Sequence, residues 1–180
     1  LGSILIIILT VLVVEALIIN IVRANYYNNM EANLYNQVSV SCELYAEYFS
    51  DASLSDNVLN NVDSFWRQTN AQVEIIDAGG AVLMDSIGYM PDKNEKMPDV
   101  EEALKNGKGT WVGKADYDTD GIMAVSKALK VNGATIGVLR FITTLRGVDR
   151  DVYGVSRIFV IIGLVVTAAS ALLSLLLSNT

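Results

Sequence analysis

Apolar residues run almost without a break at both ends of this chain and fall into periodic patterns between. Ile4 to Val22 is interrupted only by Thr10, Glu15 and Asn20, and Ile158 to Leu177 carries no charge. A bilayer core of roughly 30 Å takes about 20 apolar helical residues, so each run predicts a transmembrane helix. The alternative for the first run is a cleaved signal peptide, but its length and Ile19-Asn20-Ile21-Val22-Arg23, which offers no small-residue cleavage site, argue against that; it reads as an uncleaved anchor. The segments expected are 1-23 as the first transmembrane helix, 24-157 as one folded domain and 158-180 as the second transmembrane helix.

Between Gly2 and Gly79 there is no other glycine, and the first proline is Pro91, so nothing breaks a helix that continues out of the first span. Tyr27, Met30, Leu34, Val38, Tyr45 and Tyr48 mark its apolar stripe, with Asn28, Glu31, Asn33, Gln37 and Glu43 around it. A second helix is expected over Leu54 to Gln68, starting at Ser53 or Ser55 and grouping Val58, Val62, Phe65 and Trp66.

From Ala71 the period becomes two. Gln72 to Ile76 and Ala81 to Asp85 read as strands around the turn Asp77-Ala78-Gly79-Gly80. A short helix from Val100 to Lys105 precedes a third strand, Thr110 to Lys114. Strands Ile122 to Lys130 and Ala134 to Thr144 flank Asn132-Gly133, which favours a type I′ hairpin. The fold class predicted is α+β, a five-stranded antiparallel sheet behind a long N-terminal helix. An uninterrupted register from that hairpin sets Val125 opposite Arg140 and Lys127 opposite Val138, which brings Lys127 and Arg140 together on one face.

Composition narrows the function. With Glu15 and Arg23 set aside, the remaining 19 acidic and 12 basic residues all lie in the central domain, a net charge of −7. That balance argues against nucleic acid and anionic lipid surfaces as partners and suits cations or a cationic envelope. The chain has no His and a single Cys, Cys42, so it has no internal disulfide, and it has no Gly-rich phosphate loop. The usual nucleophile–base pairs are therefore missing; the expectation is a non-catalytic segment with no cofactor of its own. The chain opens at Leu1, without a Met, and the flanking basic residues that would fix its orientation lie outside it. Arg23, Arg150 and Arg157 alone would place the centre in the cytoplasm. Long loops translocate largely regardless of charge, and the centre reads as extracytoplasmic.

Asp116-Tyr117-Asp118-Thr119-Asp120-Gly121 begins like an EF-hand calcium loop, but its twelfth position is Lys127 rather than Glu and its flanks read as strands. A complete EF-hand is excluded. Two readings stand: an acidic, solvated hairpin loop, or a weaker cation site on Asp116, Asp118 and Asp120. In the first span Glu15 is costly in lipid, and serves either as a polar latch to a partner helix or lies near enough to the interface to find water. In the second, Gly163, Thr167 and Ala171, with Ser170 and Ser174, form a small-residue face suited to close helix contact.

The order of elements, the segment Gln72-Val73-Glu74-Ile75-Ile76-Asp77-Ala78-Gly79-Gly80-Ala81-Val82-Leu83-Met84-Asp85-Ser86, and Lys130-Val131-Asn132-Gly133-Ala134-Thr135-Ile136-Gly137-Val138-Leu139-Arg140 before a second span resemble one known family. It is the extracytoplasmic Cache (PAS-like) sensor region of bacterial two-component sensor histidine kinases, in particular the phosphate-response and cell-wall kinase group of Gram-positive bacteria. The resemblance implies a homodimeric membrane input module for signal transduction. It also implies a histidine protein kinase as parent, with ATP and Mg in a kinase domain outside this chain and a response regulator as downstream partner. The alternative it leaves is the ligand-binding region of a methyl-accepting chemoreceptor or another Cache-containing receptor without a kinase. By the same resemblance, Lys127 and Arg140 on the concave face, walled by Trp111 and Tyr117, would hold a small anionic ligand. The competing reading is that Glu74 or Asp85 neutralises them. A cation or an envelope protein remains as another partner.

Overall fold

The computed structural model describes residues 2–60, 69–90 and 96–178, and these form two compact units. One unit spans Asn29–Leu145; the other joins the start of the first helix to the last helix.

Helix α1 runs without interruption over Gly2–Tyr48, as its lack of glycine and proline dictates. Its Leu34, Val38, Cys42 and Tyr45, at helical spacing, are buried in the Asn29–Leu145 unit. Helix α2, Leu54–Asn60, starts behind Ser53, whose Oγ accepts from the Asp56 N–H at 3.2 Å and donates to the Asp56 carboxylate at 2.6 Å. The rest of the expected second helix, with Val62, Phe65 and Trp66, lies outside the described residues. Asn57, a buried residue of α2, donates to the Tyr45 hydroxyl at 2.8 Å and the Phe49 carbonyl at 2.7 Å, fastening α2 to the end of α1.

Strands β1 (Gln72–Asp77) and β2 (Val82–Asp85), helix α3 (Pro98–Asn106), and strands β3 (Lys108–Ala115), β4 (Asp118–Val131) and β5 (Ala134–Thr144) complete the unit. All five strands join one antiparallel sheet in the order β2-β1-β5-β4-β3. The fold class is therefore the α+β one expected. The β4–β5 turn carries φ of 51° at Asn132 and 82° at Gly133, the left-handed pair a type I′ turn requires.

The register beyond that turn differs from the expected one. Val131 pairs with Ala134 and Lys130 with Thr135, but Leu129 then pairs with Gly137, so Ile136 is an extra residue in β5. A bulge of one residue moves every later side chain to the other face. Ser126 consequently opposes Arg140, and Lys127 opposes Leu139, so Lys127 and Arg140 lie on opposite faces of the sheet rather than together.

The two faces are covered differently. On one, α3 approaches so closely that a Cβ at Gly109 would collide with the Asp99 carbonyl, and Ile76, Val100, Ala103 and Val138 form a core with Val82, Met97 and Leu104 around it. On the other lie Lys127 and the α1 residues: the Cys42 thiol reaches the Lys127 carbonyl at 4.0 Å and the Thr110 hydroxyl donates to Glu31 at 2.9 Å.

In the second unit, α4 (Arg146–Ser178) lies against the start of α1, where a Cβ on Gly163 would come within 2.8 Å of Val11. Many apolar side chains along this pair, among them Leu5, Leu9, Leu12, Leu164, Leu172 and Leu176, are exposed. Both helices are long and apolar enough to cross a membrane.

Candidate functional site

One row crosses the whole sheet on the α3 side: Asp85, Glu74, Arg140, Ser126 and Gly109, each directly opposite the next. Over it sits Asp99, in the first turn of α3 behind Pro98. Arg140 donates from Nε and Nη2 to the two carboxylate oxygens of Asp99 at 2.7 and 3.1 Å, a bidentate pair, and from Nη1 to Glu74 at 3.0 Å. The Ser126 hydroxyl donates to the same Asp99 oxygen at 2.7 Å. All four residues are buried, Asp99 and Ser126 completely.

The balance of charge here is uneven: two buried carboxylates, Glu74 and Asp99, share one guanidinium, and a third, Asp85, lies buried beside Glu74. Burial pushes the Glu74 carboxyl up to about 7, with Asp85 adding to the rise and Arg140 opposing it. Burial works against the Arg140 charge, but Asp99 and Glu74 overcome it and hold the guanidinium above its ordinary value. Asp85 is held by Gln72 and by the Ile87 N–H at 2.6 Å. Gln72 in turn accepts from the Tyr117 hydroxyl at 2.9 Å, and the Tyr117 ring lies 4.6 Å from that of Tyr89. Partial burial lifts the Tyr117 hydroxyl to about 12.

Of the residues expected to hold a ligand, Arg140, Trp111 and Tyr117 share this face. Trp111 packs with Ile122, Ala124 and Ile142, and its indole covers Gly113. Arg140 is neutralised from β1 by Glu74, as one expected reading had it, and more strongly by Asp99, which sequence reasoning missed. The available signal was Pro98-Asp99 at a helix start beside a charged residue, Glu74, inside the apolar run Val73 to Ile76. Lys127 points to the α1 face.

Asp116, Asp118 and Asp120 are not brought together. Asp116 occupies the β3–β4 turn, Asp118 pairs with Ala115 and accepts the Asp120 N–H at 3.0 Å. Among the described residues no three acidic or Cys side chains converge on a point that could hold a metal ion. Cys42 is buried, and its burial pushes the thiol up to about 12.

In the helical pair, Glu15 faces α4: it lines two crevices between the helices, one with Phe159, Ile162 and Gly163, the other with Val160, Gly163 and Thr167. Its Oε1 is sealed from solvent and has no hydrogen-bond partner among the described residues. Gly163 is buried and Thr167 half-buried, the Thr167 hydroxyl donating to the Gly163 carbonyl at 2.8 Å. Ser170 and Ala171 are half-buried; the Ser174 side chain lies outside the described residues.

No protein-family model matches this sequence, and no curated protein matches it. Solved structures do share its fold. The ligand-binding domain of the Campylobacter jejuni chemoreceptor Tlp3, in complex with L-norvaline, aligns with a TM-score of 0.57 at 21% identity, over 81% of this chain and 63% of that one. The sensory domain of the same receptor with isoleucine bound aligns at 0.55 and 21% identity, over 74% and 59%. The sensor domain of E. coli DcuS aligns at 0.51 and 11% identity, over 68% of this chain and 97% of that one. This chain thus spans about three fifths of the length of the chemoreceptor domains. The five-stranded antiparallel sheet with its long helix is the fold of these sensor domains.

Proposed function

We propose that this chain is the membrane-embedded sensory input module of a bacterial sensor histidine kinase, with the sheet outside the cytoplasm and α1 and α4 crossing the bilayer. The carrying observation is connectivity: residues of α1 that pack on the sheet belong to the same unbroken helix as the apolar run, and only Leu145 separates β5 from α4. Among the described residues no separate linker segment lies in sequence between the sheet and α4.

In this reading the buried network is the element a stimulus biases. Arg140 ties β5 to β1 through Glu74 and to α3 through Asp99, so moving α3 strains the strand that feeds α4. Two copies associate through their long helices, and a shift of about 1–2 Å or a small rotation of α4 is enough to switch a downstream kinase and its response regulator. A stimulus that discriminates the two arrangements by about 1–3 kcal/mol supplies the energy. The resemblance to kinases of Gram-positive bacteria supports the kinase output. The likeness to the Tlp3 domains supports a second reading, a chemoreceptor without a kinase.

Hybrid receptors test this. The chain is fused after α4 to the cytoplasmic part of a transmembrane histidine kinase and, separately, of a chemoreceptor, and output is followed while amino acids, dicarboxylates and phosphate are supplied outside. Output that responds in one hybrid supports the reading and selects the output class. Two correctly inserted hybrids, both deaf to every compound and to Arg140→Met, would overturn it.

A further inference from the structure

Separated from Arg140, Lys127 has another cationic neighbour. Lys127 lies directly opposite Lys108 across the β3–β4 ladder, and both side chains point to the α1 face. Their ammonium groups sit 5.5 and 5.4 Å from the centroid of the same ring, Tyr35 of α1. Like charges directly opposed across a ladder repel, and in a domain of this acidity a carboxylate partner would be the ordinary solution. Among the described residues neither lysine has one within ion-pair distance. The carboxylate of Glu31 accepts from Thr110 instead, at 2.9 Å.

Beside Lys127 a crevice of about 240 Å³ opens between α1 and the sheet, lined by Cys42, Glu43, Ala46, Gly107, Lys127 and Lys130 among others. Glu43 is the one acidic group in its wall, against two lysines. On the opposite face Glu74 and Asp99 already occupy Arg140.

We propose that Lys108 and Lys127, held together by Tyr35 and extended by Lys130 at the crevice, bind a small oxyanion, a carboxylate or phosphate ligand, on the sheet face that α1 covers. The inference deepens the sensor reading and rests on it. The bound oxyanion accepts from both ammonium groups, cancels their repulsion, and ties β3 and β4 to the helix that carries Tyr35, Cys42 and Ala46. The ligand therefore acts directly on α1.

The test uses the full chain in phosphatidylcholine nanodiscs, titrated calorimetrically with inorganic phosphate and with succinate at constant ionic strength in chloride. The expected result is saturable binding of at least one probe, weakened about tenfold or more by Lys108→Gln and by Lys127→Gln, since hydrogen bonds to charged groups carry that much. Binding is retained by Lys127→Arg and by Lys114→Gln on the distal part of β3. Lys108→Gln also raises the melting temperature without ligand, because it removes a repulsion. Absence of binding by the wild-type chain, or equal binding by wild type and both Gln variants, overturns the site. Loss of phosphate binding when phosphatidylglycerol replaces phosphatidylcholine assigns the lysines to a lipid headgroup and overturns a soluble ligand. A hybrid receptor that answers other compounds while phosphate and succinate fail to bind sinks this site alone and leaves the sensor reading standing.

Discussion

Ser126 lies directly opposite Arg140 across the β4–β5 ladder, and both reach the same oxygen of Asp99, at 2.7 Å each. That one oxygen joins two strands of the sheet to α3. The pairing exists because β5 carries one residue more than the hairpin register requires.

Removing the guanidinium strands two buried carboxylates. Arg140→Met is expected to cost about 3–5 kcal/mol, the usual penalty for breaking a buried ion pair from one side. Ser126→Ala removes one hydrogen bond from a group that keeps its ion pair, and should cost about 1.5–3 kcal/mol. Denaturant unfolding of the two variants checks the order; equal losses would contradict it.

Glu74 sets a pH dependence. Its folded value of about 7 stands above its ordinary 4.5, so the native state holds the extra proton between those values. Stability from this group is fully present below about 4.5, falls as pH rises through the window, and is flat above 7. In Glu74→Gln that fall disappears. Melting temperatures of both proteins from pH 4.5 to 8 measure it.

Gly109 is where α3 comes closest to the sheet. Gly109→Ala sets a methyl against the Asp99 carbonyl, which is backbone and cannot swing aside. Overpacking of this kind costs about 1–3 kcal/mol. Because Asp99 is displaced, hydrogen exchange should quicken in α3 and at the Arg140 amide before it does in α1; uniform exchange would argue against this contact.

Much of this was legible in the residues. Five strands, the Asn132-Gly133 turn, the unbroken α1 and both apolar helices follow from periodicity and from where glycine and proline stand. The bulge at Ile136 did not, because apolar residues alternate acceptably in either register and only the finished packing of Phe141, Leu139 and Val125 distinguishes them. The bulge decides the site as well: it parts Lys127 from Arg140, whose partner is Asp99, distant in sequence, while Lys127 faces Lys108 at the start of β3. Glu74 was legible as a neutralising group because it is a charge inside an apolar strand; Asp85, named beside it, is held instead by Gln72 and the Ile87 N–H.

In the apolar helices, Glu15→Leu replaces a carboxyl whose Oε1 has no partner among the described residues. It should favour membrane insertion by about 2.5–3.5 kcal/mol, the insertion cost of a central charged residue. The cores of the Asn29–Leu145 unit should melt unchanged. A reduced inserted fraction in a translocon assay would contradict the placement of Glu15 within a span.

The most direct test of the central claim, that a sensory sheet stands outside the cell between two membrane spans, is thiol labelling in intact cells. The native Cys42 is a silent background, buried and with its thiol pushed up to about 12. An Asp116→Cys substitution places a reactive thiol in the exposed β3–β4 turn. A membrane-impermeant maleimide added to whole cells should label it as fully as it does after lysis; labelling that appears only once the membrane is broken would contradict the account.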